Sequence, residues 1–431
     1  MAVHTMQELY QYQALTLAQK IEMTKARIKA WVDHYGIDGV YVSFSGGKDS
    51  TVLLHIARQI YPDIKAMFVD VPTQYPELRE FAKGFDNTDI VKPDMSFMDV
   101  CKTYGFPMIS KEVSECVMNA KKYLTSILKS ETRFTDRQTD RQTDRQTDRP
   151  YFSFYRKLTG QGEYSKFSES PRIVNKCSRG GKTQSIESCV ELESILNNTT
   201  KKGQKIKTAI LLGMLTKDNK IKANIPEGDR SIFSQEKYKF FLDAPFDISN
   251  KCCNEMKKKP AHRYAKETGR LPITAQMASE SRLRTQKWLQ NGCNAFDAKN
   301  PISNPMSFWL EQDILTYIVE NDIEICSVYG DIVTDYAAMG QVDGQLSFSD
   351  YGVFDKERPV LKCTGCQRTG CCLCAFGAHL EKPEESRFVR LKETHPGMYR
   401  LLDVVKNNGV TYREAIEWVN ENNGKGEIIR L

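Results

Sequence analysis

The sequence predicts an α/β protein built on a doubly wound parallel sheet, and three observations carry that expectation. The apolar run Val40-Tyr41-Val42 leads through Ser43-Phe44-Ser45-Gly46-Gly47-Lys48-Asp49-Ser50-Thr51 into the helical pattern of residues 52–57, a strand, a glycine turn and a helix start. Short apolar runs then alternate with helix-length segments as far as Ser110, and strands separated by helices of this length pair in parallel. The glycine turn and Asp70 both fall at the carboxyl ends of predicted strands, where sheets of this kind bind their ligands.

Residues 7–34 read as one helix with Leu17, Ile21, Ile28 and Val32 on a common face and Gly36 as its stop. They form an N-terminal helical cover over 1–37. The strand and loop at 40–51 follow, then a helix to Ile60 and a strand from Lys65 to Val69. A helix from Pro76 to Lys83, a strand from Thr88 to Val91, a helix from Ser96 to Tyr104 and the extended segment 107–110 continue the alternation. The first part of the nucleotide-binding domain is thus expected over 38–126.

From 127 to 205 the pattern gives way to a polar insert that includes Thr135 to Arg149, a tandem Thr-Asp-Arg-Gln repeat with no apolar residue. Such a segment cannot build a core. Thr-Asp-Arg-Gln is also what the codons ACA-GAC-AGA-CAG, a pure ACAG tetranucleotide repeat, encode in frame; in a gene written that way slippage would shift the reading frame and remove everything downstream, and expression is expected to be phase-variable. Globular sequence resumes with Ala209-Ile210-Leu211-Leu212-Gly213, read as a strand. The second part of the domain is expected over 206–320, a cysteine-rich metal-binding segment over 321–380 and a helical appendage over 381–431, with a helix from Tyr412 to Val419.

A chain of 431 residues accommodates two or three such units. Its formal charge of +6 is mild and suits a polyanionic nucleotide without requiring nucleic acid. There is no apolar run of about 18 residues and no basic-then-apolar leader at the start, so a cytoplasmic location without membrane contact is expected. In that compartment thirteen cysteines point to metal, redox chemistry or buried thiols rather than to disulfides.

The chemistry concentrates at the glycine turn. Gly46 and Gly47 let the backbone approach a ligand without a Cβ in the way, and the free N–H groups of the following helix attract an anion. Lys48 adds a positive charge, and Ser45, Ser50 and Thr51 supply hydroxyls. Asp49 stands where a helix N-cap would. Asp70 is a candidate for a ribose hydroxyl or a magnesium ion. The Walker loop is excluded, because it needs four residues between its first glycine and Gly-Lys-Ser/Thr. Away from the turn, the pair Cys252-Cys253 precedes Lys257-Lys258-Lys259-Pro260, and five cysteines fall between Cys363 and Cys374. Two distant half-sites of two thiolates each match a four-cysteine metal centre. Zinc, an iron–sulfur cluster and a redox dithiol are all open on spacing alone.

The loop Ser45 to Ser50 resembles the pyrophosphatase (PP) loop of adenine nucleotide α-hydrolases. Further matches are Phe68-Val69-Asp70 with Tyr75-Pro76-Glu77, Lys251-Cys252-Cys253 with Lys259-Pro260, Glu280-Ser281 with Arg284, and Asn304-Pro305-Met306 with Trp309, Asp313-Ile314 and Tyr317. Together they resemble the 3′-phosphoadenylyl sulfate and adenylyl sulfate reductase family, cluster-bearing branch, over about 38–126 and 207–380. The resemblance implies that Cys252, Cys253, Cys371 and Cys374 hold a [4Fe–4S] cluster, with zinc as the alternative and Cys363 with Cys366 as an alternative distal pair. It also implies that Lys48 and Asp49 are catalytic, and that Ser45, Gly46, Gly47, Ser50, Thr51, Asp70, Glu280, Ser281 and Arg284 line the nucleotide site.

Two departures stand out. The family's C-terminal Glu-Cys-Gly-(Leu/Ile)-His tail is replaced by Phe376-Gly377-Ala378-His379, with no cysteine after Cys374, and an expected arginine becomes Met277. One implied activity is reduction of phosphoadenylyl sulfate with a thioredoxin-like reductant, with Cys366 and Cys372 as candidate nucleophiles. The alternative is ATP- and magnesium-dependent sulfur transfer from a cysteine desulfurase to a nucleic acid met by Lys257, Lys258, Lys259, Arg282, Arg284 and Lys287. A third reading keeps the fold as a nucleotide-sensing module without catalysis.

Overall fold

The computed structural model describes residues 3–135, 193, 196–197, 202–335 and 359–431. The repeat beyond Thr135 lies outside the described residues. In chain order the elements are α1 (Met6–Gln13), α2 (Leu17–Tyr35), β1 (Val40–Phe44), α3 (Lys48–Ile60), β2 (Ala66–Val69), α4 (Pro76–Lys83), β3 (Thr88–Val91), α5 (Phe97–Tyr104), β4 (Met108–Ile109), α6 (Lys111–Thr135) and α7 (Lys202–Leu211). There follow α8 (Lys259–Thr268), β5 (Leu271–Ile273), α9 (Arg282–Asn291), β6 (Asn294–Ala295), β7 (Ile302–Ser303), α10 (Glu311–Glu320), β8 (Ile332–Thr334), β9 (Leu361–Cys363), β10 (Ala375–Phe376), α11 (Arg387–Thr394) and α12 (Tyr412–Asn422), with shorter helical turns and a small hairpin between them. They divide into two compact units, Met1–Ser96 with Cys253–Cys372 and Phe97–Cys252 with Leu373–Leu431.

The first unit holds a six-stranded sheet in the order β3-β2-β1-β5-β7-β6. Every neighbouring pair is parallel except β6 with β7, which confirms the α/β class. In the centre, Val42 pairs with Ala66 and Phe44 with Phe68 on one side, and Val40 with Leu271 on the other. Parallel strands buried on both faces read as continuous apolar runs, and Val40, Tyr41 and Val42 are all buried. Val40, Val42, Phe44 and Phe68 pack with Trp31 of α2, Val52 and Leu53 of α3, Trp309 just before α10 and Ile314 of α10. Tyr41 and Met67 point the other way, onto Tyr264 of α8.

The N-terminal cover is two helices, not the single helix expected over 7–34. Thr16 caps α2 by accepting from the Gln19 amide while the Gln19 side chain accepts from the Thr16 amide, a reciprocal cap that starts a new helix. Gly36 ends α2 at φ +76° as anticipated. The Lys20 ammonium, 2 % exposed, meets Asp313 of α10 at 2.6 Å, and the Trp309 indole donates to Thr24 at 2.9 Å. These contacts tie the cover to the helix that carries Glu311.

In the second unit, α6 packs along α7. The run 209–213, read as a strand, instead contains the end of α7, with Thr208, Ala209 and Leu211 buried. A short apolar run satisfies either period, and the neighbouring helix decides. Segment 107–110 does not extend the main sheet: β4 pairs with β10, Met108 opposite Ala375 and Ile109 opposite Phe376. The C-terminal segment enters this unit's core. Tyr412 is fully buried, donates to the Pro107 carbonyl at 3.0 Å, accepts from the Ala375 amide at 3.2 Å and stacks on Phe106. No helix among the described residues is long and apolar enough to cross a membrane.

Candidate functional site

The PP-loop is built by its own hydroxyls. The Ser50 Oγ donates to the Gly47 carbonyl at 2.8 Å and accepts from the Ser45 amide at 3.1 Å, and the Thr51 Oγ1 donates to the same carbonyl at 3.1 Å. Ser45 and Ser50 hydroxyls touch at 3.0 Å, and the Gly47 amide donates to Ser45 Oγ at 3.3 Å. Gly46 has φ +70°, and a Cβ there would meet the Leu78 carbonyl at 3.1 Å, so its glycine is required twice over. Gly47, not Asp49, is the N-cap of α3, and it offers no side-chain acceptor to the first amides. Asp49 lies inside the first helical turn because Gly47 is already extended at ψ 151°.

Lys48 is 2 % exposed and its side chain is tied down within the unit. Its Nζ donates to the Gln367 carbonyl at 2.7 Å and pairs with Glu311 at 2.8 Å. Burial works to lower its pKa, but Asp49, Glu311 and Tyr329 outweigh it and hold the ammonium above its ordinary value. The Lys48 amide donates to the Tyr329 hydroxyl at 3.1 Å, and that hydroxyl meets Thr369 at 2.7 Å.

Burial raises the Asp49 pKa, Lys48 pulls it back, Glu311 raises it further, and Arg368 and Arg284 lower it; the net shift is upward. Its Oδ1 is buried without a hydrogen-bond partner. A carboxyl with a folded-state pKa above its unfolded one costs stability as pH rises through the unfolded value, and the cost is complete above the folded one. Asp49→Asn is therefore expected to raise the thermal midpoint at neutral pH. The gain should shrink as pH falls toward 3.8, the ordinary aspartate value, and thermal unfolding at neutral and acidic pH checks both parts.

The other expected nucleotide residues sit as follows. Ser281 caps α9, accepting from the Arg284 amide at 3.4 Å, and Glu280 forms an ion pair with Arg284. Arg284 lies within electrostatic reach of Asp49 and Arg368, so this cap belongs with the loop. Asp70, 7 % exposed, accepts from Arg79 Nε at 2.7 Å, which occupies one carboxylate oxygen. Met277 is buried in the core, and its amide donates to Glu280 at 3.1 Å. Glu311, Tyr329, Gln367, Arg368 and Thr369 were not anticipated from the sequence, since each reaches the loop from more than 260 residues away.

The four cysteines assigned to a metal fall two and two. Cys253 and Cys371 belong to the first unit, Cys252 and Cys374 to the second. Cys371 bridges to Gln74, and the buried Cys372 donates its amide and its thiol to the Thr73 carbonyl at 2.8 and 3.1 Å. In the second unit, the Tyr412 hydroxyl lies within electrostatic reach of Cys374, Cys101 and Cys252, and Arg387 donates to the Cys374 carbonyl at 2.8 Å. Cys101 was not expected there; burial pushes its thiol pKa well up. The thiol set suits a soft metal or cluster in its donor chemistry. Among the described residues, however, no three His, Cys, Asp or Glu side chains are placed to hold a metal ion.

Comparison with known proteins places this geometry. The phosphoadenosine phosphosulfate reductase domain matches residues 39–98 and 199–375. A probable FAD synthase from Caenorhabditis briggsae is 30% identical over 95 residues, 20% of this chain and 18% of that protein, so the match spans less than a fifth of the relative's length. No solved structure matches. Because the matched residues make up more than half of the sequence and contain the PP-loop, the parallel sheet and the segment that meets Lys48, the chain belongs to the phosphoadenosine phosphosulfate reductase domain family.

Proposed function

We propose that this protein is a PP-loop enzyme that binds an adenine nucleotide through residues 45–51 and reduces phosphoadenylyl sulfate to sulfite. The observation that carries the reading is the charged, buried Lys48 at the N-terminus of α3, with Arg284 and Arg368 in electrostatic reach of the same turn. Backbone amides and fixed cations of this kind stabilise charge that develops on a leaving phosphate. A cysteine thiolate of the 363–374 segment attacks the sulfate sulfur, the sulfur–oxygen bond to phosphate breaks, and adenosine 3′,5′-bisphosphate leaves. A thioredoxin-like dithiol then attacks the enzyme thiosulfonate, releases sulfite and is oxidised to a disulfide. In this reading the protein works in the cytoplasm, and Cys252, Cys253, Cys371 and Cys374 would hold a [4Fe–4S] cluster, which would supply electrostatic and redox character to the site.

One observation favours a second reading. Asp49 and Glu311 both act electrostatically on Lys48, and paired carboxylates beside a phosphate loop suit magnesium and ATP. The local likeness to a probable FAD synthase points the same way. Here an acceptor oxygen, as on a nucleic acid, attacks the α-phosphorus of ATP and pyrophosphate leaves; persulfide sulfur from a cysteine desulfurase then displaces AMP from the activated acceptor, and a thiol frees the product by forming a disulfide with the sulfur carrier.

Anaerobically purified protein, given phosphoadenylyl sulfate with thioredoxin or magnesium-ATP alone, decides between them. Sulfite is the expected product, and pyrophosphate without sulfite overturns the reductase reading. For the metal, iron and acid-labile sulfide should co-purify with the protein and largely disappear in Cys371→Ser. Stoichiometric zinc in their place would exclude the cluster.

A further inference from the structure

The first amides of an α-helix have no partner within the helix and are the groups a phosphate would take. In α3 the first of these is already taken: the Lys48 N–H donates to the Tyr329 hydroxyl at 3.1 Å, and that hydroxyl is braced by Thr369 at 2.7 Å. A Cβ placed on Gly47 would meet the Thr369 and Tyr329 oxygens, each at 3.1 Å. The open face of the glycine, where a ligand would approach, is therefore filled by two side-chain hydroxyls of the chain itself. The Gln367 carbonyl holds Lys48 Nζ at 2.7 Å from the same strap.

We propose that Tyr329 and Thr369 form a built-in stopper of the PP-loop, which an incoming phosphate must displace; this rests on the adenine-nucleotide reading above. The backbone around Tyr329 is pinned. Gly365 donates to the Tyr329 carbonyl at 2.8 Å, Cys366 to the Val328 carbonyl at 2.9 Å, and Tyr329 itself to the Cys326 carbonyl at 3.0 Å. Release thus comes from rotation of the tyrosine side chain and withdrawal of Thr369, whose neighbour Gly370 has nothing within 4 Å of where a Cβ would stand. Burial raises the Tyr329 pKa to about 12, so at neutral pH the stopper is an uncharged hydroxyl that offers an anion no repulsion.

Displacing one hydrogen bond has a modest net cost, so removing the competitor should tighten binding by about 3- to 10-fold. Tyr329→Phe deletes the hydroxyl, and Thr369→Ala removes the hydroxyl together with its methyl. Calorimetric titration with ATP and with adenosine 3′,5′-bisphosphate should show this tightening in both variants. Without nucleotide, hydrogen exchange in the peptide bearing the Lys48 amide should be faster by about the same factor in Tyr329→Phe. Wild-type binding that neither variant tightens, weaker binding in Tyr329→Phe, or unchanged exchange would overturn the stopper alone. Failure of all three proteins to bind either nucleotide would overturn the proposed function and the stopper together.

Discussion

Lys48→Ala is expected to lower nucleotide turnover by at least about 100-fold, the loss seen when one fixed donor to a developing oxyanion is removed, while the fold survives. The loss is large because Lys48 is the cation that opens α3 itself. Arg284 is committed to Glu280, and the loop hydroxyls of Ser50 and Thr51 are committed to the Gly47 carbonyl. The structural cost is small because Glu311, 39 % exposed, regains water when its partner goes. Turnover of phosphoadenylyl sulfate and of ATP, measured beside the thermal midpoint, separates the two effects. A variant that keeps its turnover would remove the loop from catalysis and favour a nucleotide-sensing module. A variant that fails to fold would show that Lys48 is a structural cation.

The largest stability effect outside the site is expected at Lys20. Lys20→Ala should cost about 3 kcal/mol, the order seen when one partner of a buried ion pair is removed. Lys20 is 2 % exposed and Asp313 16 %, so the remaining carboxylate is poorly hydrated. Asp313 also accepts from the Leu310 amide at 2.7 Å at the start of α10, so its charge cannot simply swing into water. The double variant Lys20→Met with Asp313→Asn keeps an acceptor for that amide and removes both charges. It should recover most of the loss, and a double-mutant cycle by denaturant unfolding measures the coupling. Equal losses in the single and double variants would mean that packing of the lysine stem, not its charge, holds the cover in place.

Much of the first unit was legible because its signals are local. The glycine turn, the stop at Gly36, the helix from Pro76 to Lys83 and the strand from Thr88 to Val91 each lie within a dozen residues of the pattern that announces them. Strands β5, β6 and β7 have two or three residues apiece, too few for a period to show. The break between α1 and α2 was written in Thr16 and Gln19, a cap signature that the apolar stripe on either side obscured. For the site, sequence reasoning found the loop but not what faces it. Glu311 opens α10 and Tyr329 ends a single helical turn, and no local pattern says that either reaches residue 48. The polar stretch Gln367-Arg368-Thr369 is the one visible hint, and the cysteines on either side of it point to the metal segment instead.

The register of β1 has a consequence for how the protein is made. Its one edge finds β2 almost at once, but its other edge waits for β5, because Val40 pairs with Leu271. At about 5–20 residues per second the ribosome takes roughly ten seconds to most of a minute to deliver that partner, and an open strand edge is an aggregation hazard meanwhile. A chain that ended within the Thr135 to Arg149 repeat would never receive β5, nor Glu311, Tyr329 or Thr369. Such a product would be an exposed half-sheet for proteases to clear rather than a smaller working protein, so an interruption at the repeat would amount to an off state.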